Sequence, residues 1–575
     1  MKPTCLLLLA SLLVPCLALP ARSDPSPVLV DRASSPTVVL SPSNTIVGLA
    51  SGNVEKYAGI RFADPPTGSQ RLKPPQKLST NLGDAYEAIN PAAACPQMLV
   101  STGDETLYLQ VISDFLDTPL FQTATNISED CLTVSVIRPS GVKAGADLPV
   151  LFWIFGGAFE LGWSAMYDGT DLLDQAISQN QSFIFVAVNY RVAGFGFLPG
   201  KEILADGAAN LGLLDQRLGL EWVADNIGAF GGDPTKVTIW GESAGAISVF
   251  NQMALYGGNN TYNGQPLFRA AIMDSGSITP TEPVDGPKAQ VIYDKVVETA
   301  GCQSADDTLQ CLRELPYEDY LNAANSVPGF LGYQSVALSY LPRPDGTVLP
   351  DTPDVLAQTG QYAAVPMIIG DQEDEGTIFS LFTSNVTTNE ELIEYFVTYY
   401  FNSATSAQMG ALLATYPEDV TAGSPFRTGL LNELYPQYKR IAAILGDLVF
   451  TLTRRIFLET TDAVNPDVPS WSYLSSYDYG TPYLGTFHAS DLLQTFFGIY
   501  DNYASQSTRT YYFNFLHNLD PNVGYGDYPD WPQWKDTGSG NQLVQFYATS
   551  QNYLADDFRN DSYAYIAANI DIFHV

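Results

Sequence analysis

One stretch decides the fold of this chain: Lys236-Val-Thr-Ile-Trp-Gly-Glu-Ser-Ala-Gly245. Its first half is rich in β-branched and aromatic residues, which is typical of a buried strand. Its second half matches Gly-x-Ser-x-Gly, a tight strand-to-helix turn that presents a serine hydroxyl above the edge of a sheet. Larger side chains at positions 241 and 245 would clash with the neighbouring strand and helix. We therefore predict that Ser243 is a nucleophile; the competing interpretation is an ordinary glycine-rich turn.

Short apolar runs on both sides of this stretch predict further buried strands. They cover residues 148–155, 183–189 and 364–370, and each ends at a glycine or a polar residue. A helix is predicted over 211–227, and a helix-compatible run, 246–254, follows Ser243. Strands that alternate with helices indicate an α/β protein with a mostly parallel central sheet.

A serine nucleophile needs a base, and the chain has only three histidines. His574 is the penultimate residue, and chain ends are poor places for a group that must stay within hydrogen-bond reach. His517 reads as part of a helix end, where a cation has a common structural use. His488 lies in the loop 485–491, before an apolar run, 492–500, that reads as a helix; functional residues concentrate on such loops. We predict His488 as the base, and the scarcity of histidine argues against a multi-histidine metal site.

The acid that completes such a site is expected after the strand 364–370. Four carboxylates follow it, at the end of the strand where α/β sheets place catalytic loops; they belong to Asp371, Glu373, Asp374 and Glu375. The residue pattern by itself does not choose among them, and a solvated acidic turn is the alternative.

Backbone donors for an oxyanion are expected near the end of the strand 148–155. Phe155-Gly-Gly-Ala-Phe159 follows directly, and its small residues let the backbone approach a substrate. The second donor would be Ala244, the residue after the nucleophile. A packed Gly-Gly turn is the alternative.

Composition excludes several classes of function. The 575 residues include 27 Lys+Arg against 62 Asp+Glu, a net charge of −35. Nucleic-acid binding needs a basic face, so nucleic acid is not an expected partner. With 46% hydrophobic and 15% charged residues, the chain can bury a large core and is not a disordered polyampholyte. Length alone would suggest three or four domains of roughly 150 residues each.

The N-terminus reads as an export signal. Lys2 precedes a short apolar run and the small-x-small site Cys16-Leu-Ala18, so residues 1–18 are expected to be a signal peptide. The run is too short for a membrane span, and no hydrophobic tail marks a membrane or lipid anchor at the C-terminus. Five Asn-x-Ser/Thr sequons fit a secreted glycoprotein; they lie at Asn126, Asn180, Asn259, Asn385 and Asn560.

Cleavage of the signal leaves four cysteines, which allow three pairings. We predict the sequential pairing, Cys95 with Cys131 and Cys302 with Cys311, which closes two local loops. Four buried thiols are the alternative, and they fit an oxidising compartment less well.

Three long motifs resemble those of the type-B carboxylesterase/lipase family, the cholinesterase-like branch of the α/β hydrolases. Residues 230–245 correspond to its serine signature, residues 129–139 to its second signature around a disulfide cysteine, and residues 57–69 to its N-terminal motif. The resemblance runs from about residue 41 to the C-terminal region. The sequence around Glu375 and His488 is similar to that of the secreted fungal lipases and carboxylesterases in this family.

The resemblance implies an α/β-hydrolase fold, with a mostly parallel central sheet, helices on both faces and large insertions. It implies a single domain over residues 19–575. It also implies a triad of Ser243, His488 and Glu375, in which the Asp-Glu-Gly-Thr motif selects Glu375 rather than Asp374.

Further positions follow from the same resemblance. It implies oxyanion donors at Gly157, Ala158 and Ala244. Ala158 stands where the family usually has a third glycine, and its methyl group is expected to narrow the acyl site. The resemblance also supports both disulfides and a salt bridge between Arg71 and Glu129.

The activity that the resemblance implies is that of a secreted serine hydrolase, which cleaves carboxylic esters through an acyl-enzyme without a metal or an organic cofactor. Its partners are then small-molecule or lipid esters, with transient contact to a lipid interface and no transmembrane anchor. The sequence carries no signal for an oligomeric state. Two alternatives stay open: a catalytically silent adhesion or binding protein on the same fold, and an esterase for soluble esters rather than a lipase.

The loop between Cys95 and Cys131, residues 96–130, is expected to form a lid. Its segment 105–116 carries apolar residues over much of a helix, and in similar fungal members this loop covers the acyl tunnel. A lid with an apolar underside would open at a lipid surface; the alternative is a helix packed permanently on the core. The loop has no Trp, which argues against choline esters, because a loop aromatic would hold their quaternary ammonium group.

Overall fold

The strand that leads to Ser243 lies inside a large mixed sheet. The structure is a computed structural model that describes residues 35–98, 124, 126–478, 480–535 and 541–575. In chain order, the strands of the described residues are β1 (Thr37–Ser41), β2 (Asn44–Val47), β3 (Leu49–Ser51), β4 (Val54–Arg61), β5 (Gly83–Glu87), β6 (Thr133–Pro139), β7 (Leu148–Ile154), β8 (Ile184–Val188), β9 (Gly232–Glu242), β10 (Thr261–Tyr262), β11 (Gln265–Pro266), β12 (Ala270–Asp274), β13 (Met367–Gln372), β14 (Ser470–Ser475), β15 (Gln542–Tyr547) and β16 (Ser550–Ala555).

The main sheet has eleven strands in the order β16-β15-β14-β13-β12-β9-β7-β8-β6-β4-β3. The strands from β15 to β8 in this order all run parallel to their neighbours. Antiparallel strands complete both edges, β16 at one and β6, β4 and β3 at the other. The predicted α/β fold with a mostly parallel central sheet is therefore confirmed.

The α-helices of the described residues occupy connections between these strands, and the last of them follows β16. They are α1 (Thr170–Ser178), α2 (Ala193–Gly196), α3 (Lys201–Asp206), α4 (Leu211–Phe230), α5 (Ala244–Gly258), α6 (Pro287–Thr299), α7 (Thr308–Glu314), α8 (Tyr317–Ala324), α9 (Pro353–Gln358), α10 (Asn389–Tyr395), α11 (Ser406–Leu413), α12 (Tyr438–Gly446), α13 (Leu452–Val464), α14 (Tyr503–Asn518) and α15 (Asn560–Ala568).

The central strands are covered on both faces. Every residue of β8 and of β12 is buried. Successive side chains of a strand point to opposite faces, so a fully buried strand needs cover on both sides. Both α4 and α5 pack against β9. This explains why the strands read in the sequence as continuous apolar runs rather than as alternating ones.

The register of the parallel strands brings their carboxyl ends together. Ile154 of β7 pairs with Gly241 of β9, and Asp274 of β12 pairs both with Glu242 of β9 and with Gly370 of β13. The loops that follow these four strands consequently open at one edge of the sheet, where α/β proteins place their sites.

The described residues from 36 onward form one compact unit. The predicted signal peptide, 1–18, lies outside the described residues, and so do residues 99–123 and 125, which include most of the predicted lid. The helix predicted over 492–500 is shorter in the structure. The structure has one wide helical turn there, Leu492–Phe496, and Gly498 follows with φ 59°. This left-handed conformation turns the chain away from the helix.

Candidate active site

Ser243 lies on a strained turn between β9 and α5. Its backbone has φ 57° and ψ −127°, a combination that a residue other than glycine keeps only where the surrounding structure imposes it. A Cβ atom on Gly241 would lie 2.3 Å from the carbonyl oxygen of Gly245, so position 241 requires glycine. The turn places Ser243 at the N-terminus of α5, where negative charge is favoured.

Side chains from three distant parts of the chain meet at this turn. Ser243 Oγ lies 2.7 Å from His488 Nε2, and His488 Nδ1 lies 2.5 Å from Glu375 Oε2. Glu375 Oε1 accepts the backbone N–H of Gln372 at 2.7 Å. When Nδ1–H donates to the carboxylate, Nε2 is left to accept the proton of the serine hydroxyl. His488 is 6% exposed, so water competes little for these hydrogen bonds.

The three neighbouring carboxylates of the acidic turn have other partners. Asp371 accepts a hydrogen bond from Arg454 Nε at 2.8 Å. Glu373 forms an ion pair with a half-exposed arginine. Asp374 accepts two backbone N–H groups and a serine hydroxyl. Of the four candidates, Glu375 is the one that the structure brings to the imidazole.

The other two histidines are placed elsewhere. His517 lies in the last turn of α14, as its sequence context predicts, and burial lowers the pKa of its imidazole. His574 Nε2 lies 3.4 Å from Asp354 Oδ2. His574 is therefore held against the body of the protein, although it is the penultimate residue.

The turn after β7 carries the predicted oxyanion donors. Gly157 and Ala158 line the same cavity as Ser243 and Ala244. A Cβ atom on Gly157 would lie 2.4 Å from the carbonyl oxygen of Leu161, and Gly157 has φ 108°, so this position also requires glycine. Ala158 has φ 57°. It keeps a left-handed conformation in spite of its methyl group, so it carries strain that a third glycine would not.

Sequence reasoning missed Glu242, the residue before the nucleophile. Its Oε1 lies 3.5 Å from His488 Nε2, and its side chain lines the cavity. Burial, together with the carboxylates of Asp491, Glu375 and Asp274, raises the pKa of Glu242 well above its ordinary value. This favours the neutral acid, which adds no negative charge beside the imidazole. The only signal in the sequence was its position inside the serine motif.

The cavity in front of Ser243 is mostly apolar. It encloses about 1300 Å³, its open mouth included. The rings of Phe379 and Phe450 pack on the imidazole of His488, with centroids 5.0 and 4.6 Å away. Leu448 and Ile378 line the same wall. Such a cavity suits an apolar ligand whose polar group is held at one end.

The remaining predicted positions have these locations. Disulfides join Cys95 to Cys131 and Cys302 to Cys311, with Cα–Cα distances of 5.1 and 5.9 Å. Arg71 and Glu129 form a buried bidentate pair, with N–O distances of 2.6 and 2.9 Å. The side chains of all five sequon asparagines are exposed: Asn126, Asn180, Asn259, Asn385 and Asn560.

Two other features are absent from the described residues. Within the described ranges, no group of three or more His, Cys, Asp or Glu side chains is arranged to hold a metal ion. No helix in that part of the chain is long and apolar enough to cross a membrane.

Comparisons with known proteins show the family and the fold of the chain. The sequence profile of the carboxylesterase family matches residues 37–565. The crystal structure of Aspergillus niger EstA superposes with a TM-score of 0.78 at 27% sequence identity, covering 95% of this chain and 100% of that one.

Curated relatives are closer in sequence. Secreted triacylglycerol lipase LIP1 of Gibberella zeae is 63% identical, over 95% of this chain and 92% of the relative. Secreted lipase 1 of Botryotinia fuckeliana is 57% identical, over 98% of each chain. The chain therefore belongs to the carboxylesterase family and is a secreted carboxylic ester hydrolase.

Proposed function

We propose that the chain hydrolyses apolar carboxylic esters, long-chain acylglycerols among them, through an acyl-enzyme on Ser243. One observation carries this proposal: the hydrogen-bonded line Ser243–His488–Glu375 ends at the wall of an apolar cavity. The names of the two secreted relatives support the same substrate class.

In the acylation step, Ser243 Oγ attacks the ester carbonyl while His488 Nε2 takes the hydroxyl proton. The carboxylate of Glu375 holds the ring in the required tautomer and stabilises its charged form. His488 then gives the proton to the leaving alcohol, and the acyl group remains on the serine. Deacylation repeats the sequence with water, which His488 deprotonates, and releases the carboxylic acid.

The oxyanion of each tetrahedral intermediate is bound by the backbone N–H groups of Gly157, Ala158 and Ala244. Each donor that is held rigidly in a site with little water lowers the activation barrier by roughly 3–4 kcal/mol. The crowding around Gly157 supports the required rigidity, because this turn has little room to move.

Replacement of the nucleophile tests the mechanism. Ser243→Ala is expected to lower ester turnover at least about 10⁴-fold while the fold is kept. Ser248→Ala is a matched control, because Ser248 lies on the same helix but bonds to Gln216 rather than lining the cavity. Hydrolysis by Ser243→Ala at the wild-type rate, with a native circular dichroism spectrum, would refute the proposal.

The substrate class is tested by rates across the solubility limit. We expect the rate on a triacylglycerol to rise abruptly when an emulsion forms, because the cavity and its entrance take up apolar chains from an interface. A saturating curve on a soluble short-chain ester, with no rise on the emulsion, would identify an esterase for soluble esters instead.

The predicted lid and maturation belong to the same proposal. We propose that residues 96–130 cover the cavity until an interface is met, and that replacement of 105–116 by a Gly/Ser linker abolishes the rise at the interface. We also propose that residues 1–18 are removed, leaving 19–575 as a single domain, and that the five exposed sequons carry glycans. Intact mass before and after enzymatic deglycosylation checks both modifications.

A further inference from the structure

The cavity extends beyond the triad along one face of α5. Ile247 and Asn251 both line it, and residues four apart share one face of a helix. At 1.5 Å of rise per residue, Asn251 lies about 12 Å along the helix axis from Ser243. An extended acyl chain covers that distance with roughly ten carbons, since its C–C bonds are about 1.5 Å long.

The segment after β12 also forms part of the cavity wall. Thr279, Pro280 and Thr281 line it. The backbone of the segment is held on both sides, because Thr281 N–H donates to Thr352 Oγ1 at 3.1 Å and the carbonyl of Pro280 accepts the N–H of Val575 at 3.1 Å. The wall is therefore a fixed surface rather than a loose loop.

Three polar atoms of residues that line the cavity have no hydrogen-bond partner among the described residues: Asn251 Oδ1, Thr279 Oγ1 and Thr281 Oγ1. Asn251 and Thr281 are each 1% exposed. Buried polar groups are nearly always hydrogen-bonded, and an unpaired one is costly. We call these three residues the inner polar site. Its polarity contrasts with the apolar side chains that line the same cavity, such as Phe379, whose ring packs on His488.

We propose that the inner polar site binds a hydroxyl group carried in the middle of the acyl chain, so that the enzyme prefers esters of mid-chain hydroxy fatty acids. The proposal rests on the proposed function, because it assigns the acyl chain to this cavity. The hydroxyl would donate to Asn251 Oδ1 and accept from a threonine hydroxyl. A keto group has no proton to donate, so it satisfies only the threonines. A plain chain forms no hydrogen bond with any of the three atoms. A site that is built to bind a hydroxyl group binds a chain without one less well.

The experiment compares kcat/KM for para-nitrophenyl esters of four acids. These are palmitic acid, the same acid with a hydroxyl on its tenth carbon, the corresponding keto acid, and butyric acid, whose chain is too short to reach Asn251. For the wild type we expect the order hydroxy, keto, plain, with the hydroxy ester favoured roughly tenfold over the plain one.

Two near-isosteric variants remove the polar atoms without changing the shape of the cavity. Asn251→Leu is expected to reverse the order of the hydroxy and plain esters, and Thr281→Val to reduce the preference several-fold. Both variants should hydrolyse the butyrate ester within about twofold of the wild type, which shows that the triad is intact.

Several outcomes separate this proposal from the one on which it rests. An equal kcat/KM for the hydroxy and plain esters in the wild type would overturn the inner polar site while leaving the triad proposal standing. An unchanged preference for the hydroxy ester in both Asn251→Leu and Thr281→Val would also overturn the inner polar site and leave the triad proposal standing. If the wild type hydrolyses none of the four esters, the proposed function is overturned instead. If Asn251→Leu fails to fold, Thr281→Val and Thr279→Val decide by the same ratio.

Discussion

A methyl group on Gly245 would lie 2.1 Å from the carbonyl oxygen of Ile154. Gly245 is in the first turn of α5 and Ile154 ends β7, so the helix that carries Ser243 approaches the neighbouring strand more closely than any other residue type permits. This contact fixes the height of the serine above the sheet and its distance from the oxyanion turn after β7.

Gly245→Ala is therefore expected to destabilise the protein by about 3 kcal/mol or more, because a clash with backbone cannot relax as a clash with a side chain can. It should also reduce kcat, since α5 must move and takes Ser243 with it. Thermal unfolding followed by circular dichroism, with ester turnover, measures both effects.

The matched control is Gly228→Ala. Gly228 lies within α4, is exposed, and has nothing within 4 Å of its added Cβ atom. This change should stabilise the protein by up to about 1 kcal/mol through helix propensity. Similar effects of the two substitutions would contradict the close approach of Gly245 to β7.

Adjacent carboxylates allow a matched test of the triad acid. Glu375→Gln keeps the shape of the side chain but removes the charge that supports the imidazolium, so kcat should fall about 10³- to 10⁴-fold with little change in KM. Glu373→Gln removes the negative charge that pairs with the half-exposed Arg427, and it should leave kcat within about twofold because Glu373 does not bond to His488. A comparable decrease of kcat in the two variants would contradict the assignment of Glu375 as the acid of the triad.

The strain at Ala158 predicts that glycine is better tolerated there. Ala158→Gly should raise the free energy of unfolding by up to about 1 kcal/mol, because it removes a Cβ atom from a left-handed conformation. It should also raise kcat/KM for esters with branched acyl groups, because a methyl group leaves the cavity wall. Ala224→Gly in the interior of α4 is the control, and it should lower the free energy of unfolding by about 1 kcal/mol. Denaturant titration measures the free energy of unfolding of both variants. A decrease in both would contradict the strain at Ala158.

Glu160 predicts a pH dependence of stability. It follows the oxyanion turn and accepts the N–H of Phe330 at 2.9 Å, while its Oε1 has no partner among the described residues. Burial raises the pKa of Glu160 from 4.5 to about 8. Between these values the unfolded chain loses this proton and the folded protein keeps it, so the free energy of unfolding falls as the pH rises.

Glu160→Gln cannot ionise, so its Tm should exceed that of the wild type at pH 8 and approach it near pH 4.5. The gain in the free energy of unfolding should be roughly 1–3 kcal/mol at the higher pH. The surface variant Glu298→Gln should follow the wild type throughout. A difference between Glu160→Gln and the wild type that does not change with pH would contradict the buried, protonated acid.

Much of the fold was predictable because its signals are local. The runs at 148–155, 183–189 and 364–370 became β7, β8 and β13, with ends shifted by up to three residues, and the helix 211–227 became α4. Apolar runs and glycines act on the backbone within a few residues, so they can be read without knowing what packs against them. The turn 492–496 was misread as the start of a longer helix because the left-handed Gly498 leaves no periodic signal.

The sequence by itself determined the elbow of Ser243, the order of the strands along the chain, and the short set of candidates for base and acid. Residue patterns alone could not pair residues that lie far apart. The family resemblance implies the triad, and the tertiary structure brings it together: Ser243 with His488, 245 positions away, and His488 with Glu375, 113 positions away. The tertiary structure also decided which acids are buried. Glu242 and Glu160 look like ordinary carboxylates in the sequence, and only their removal from water raises their pKa values. Local conformation depends on neighbours in the chain. The distances between the triad residues and the desolvation of the buried acids depend on the whole packed sheet, because it brings four strand ends to one edge.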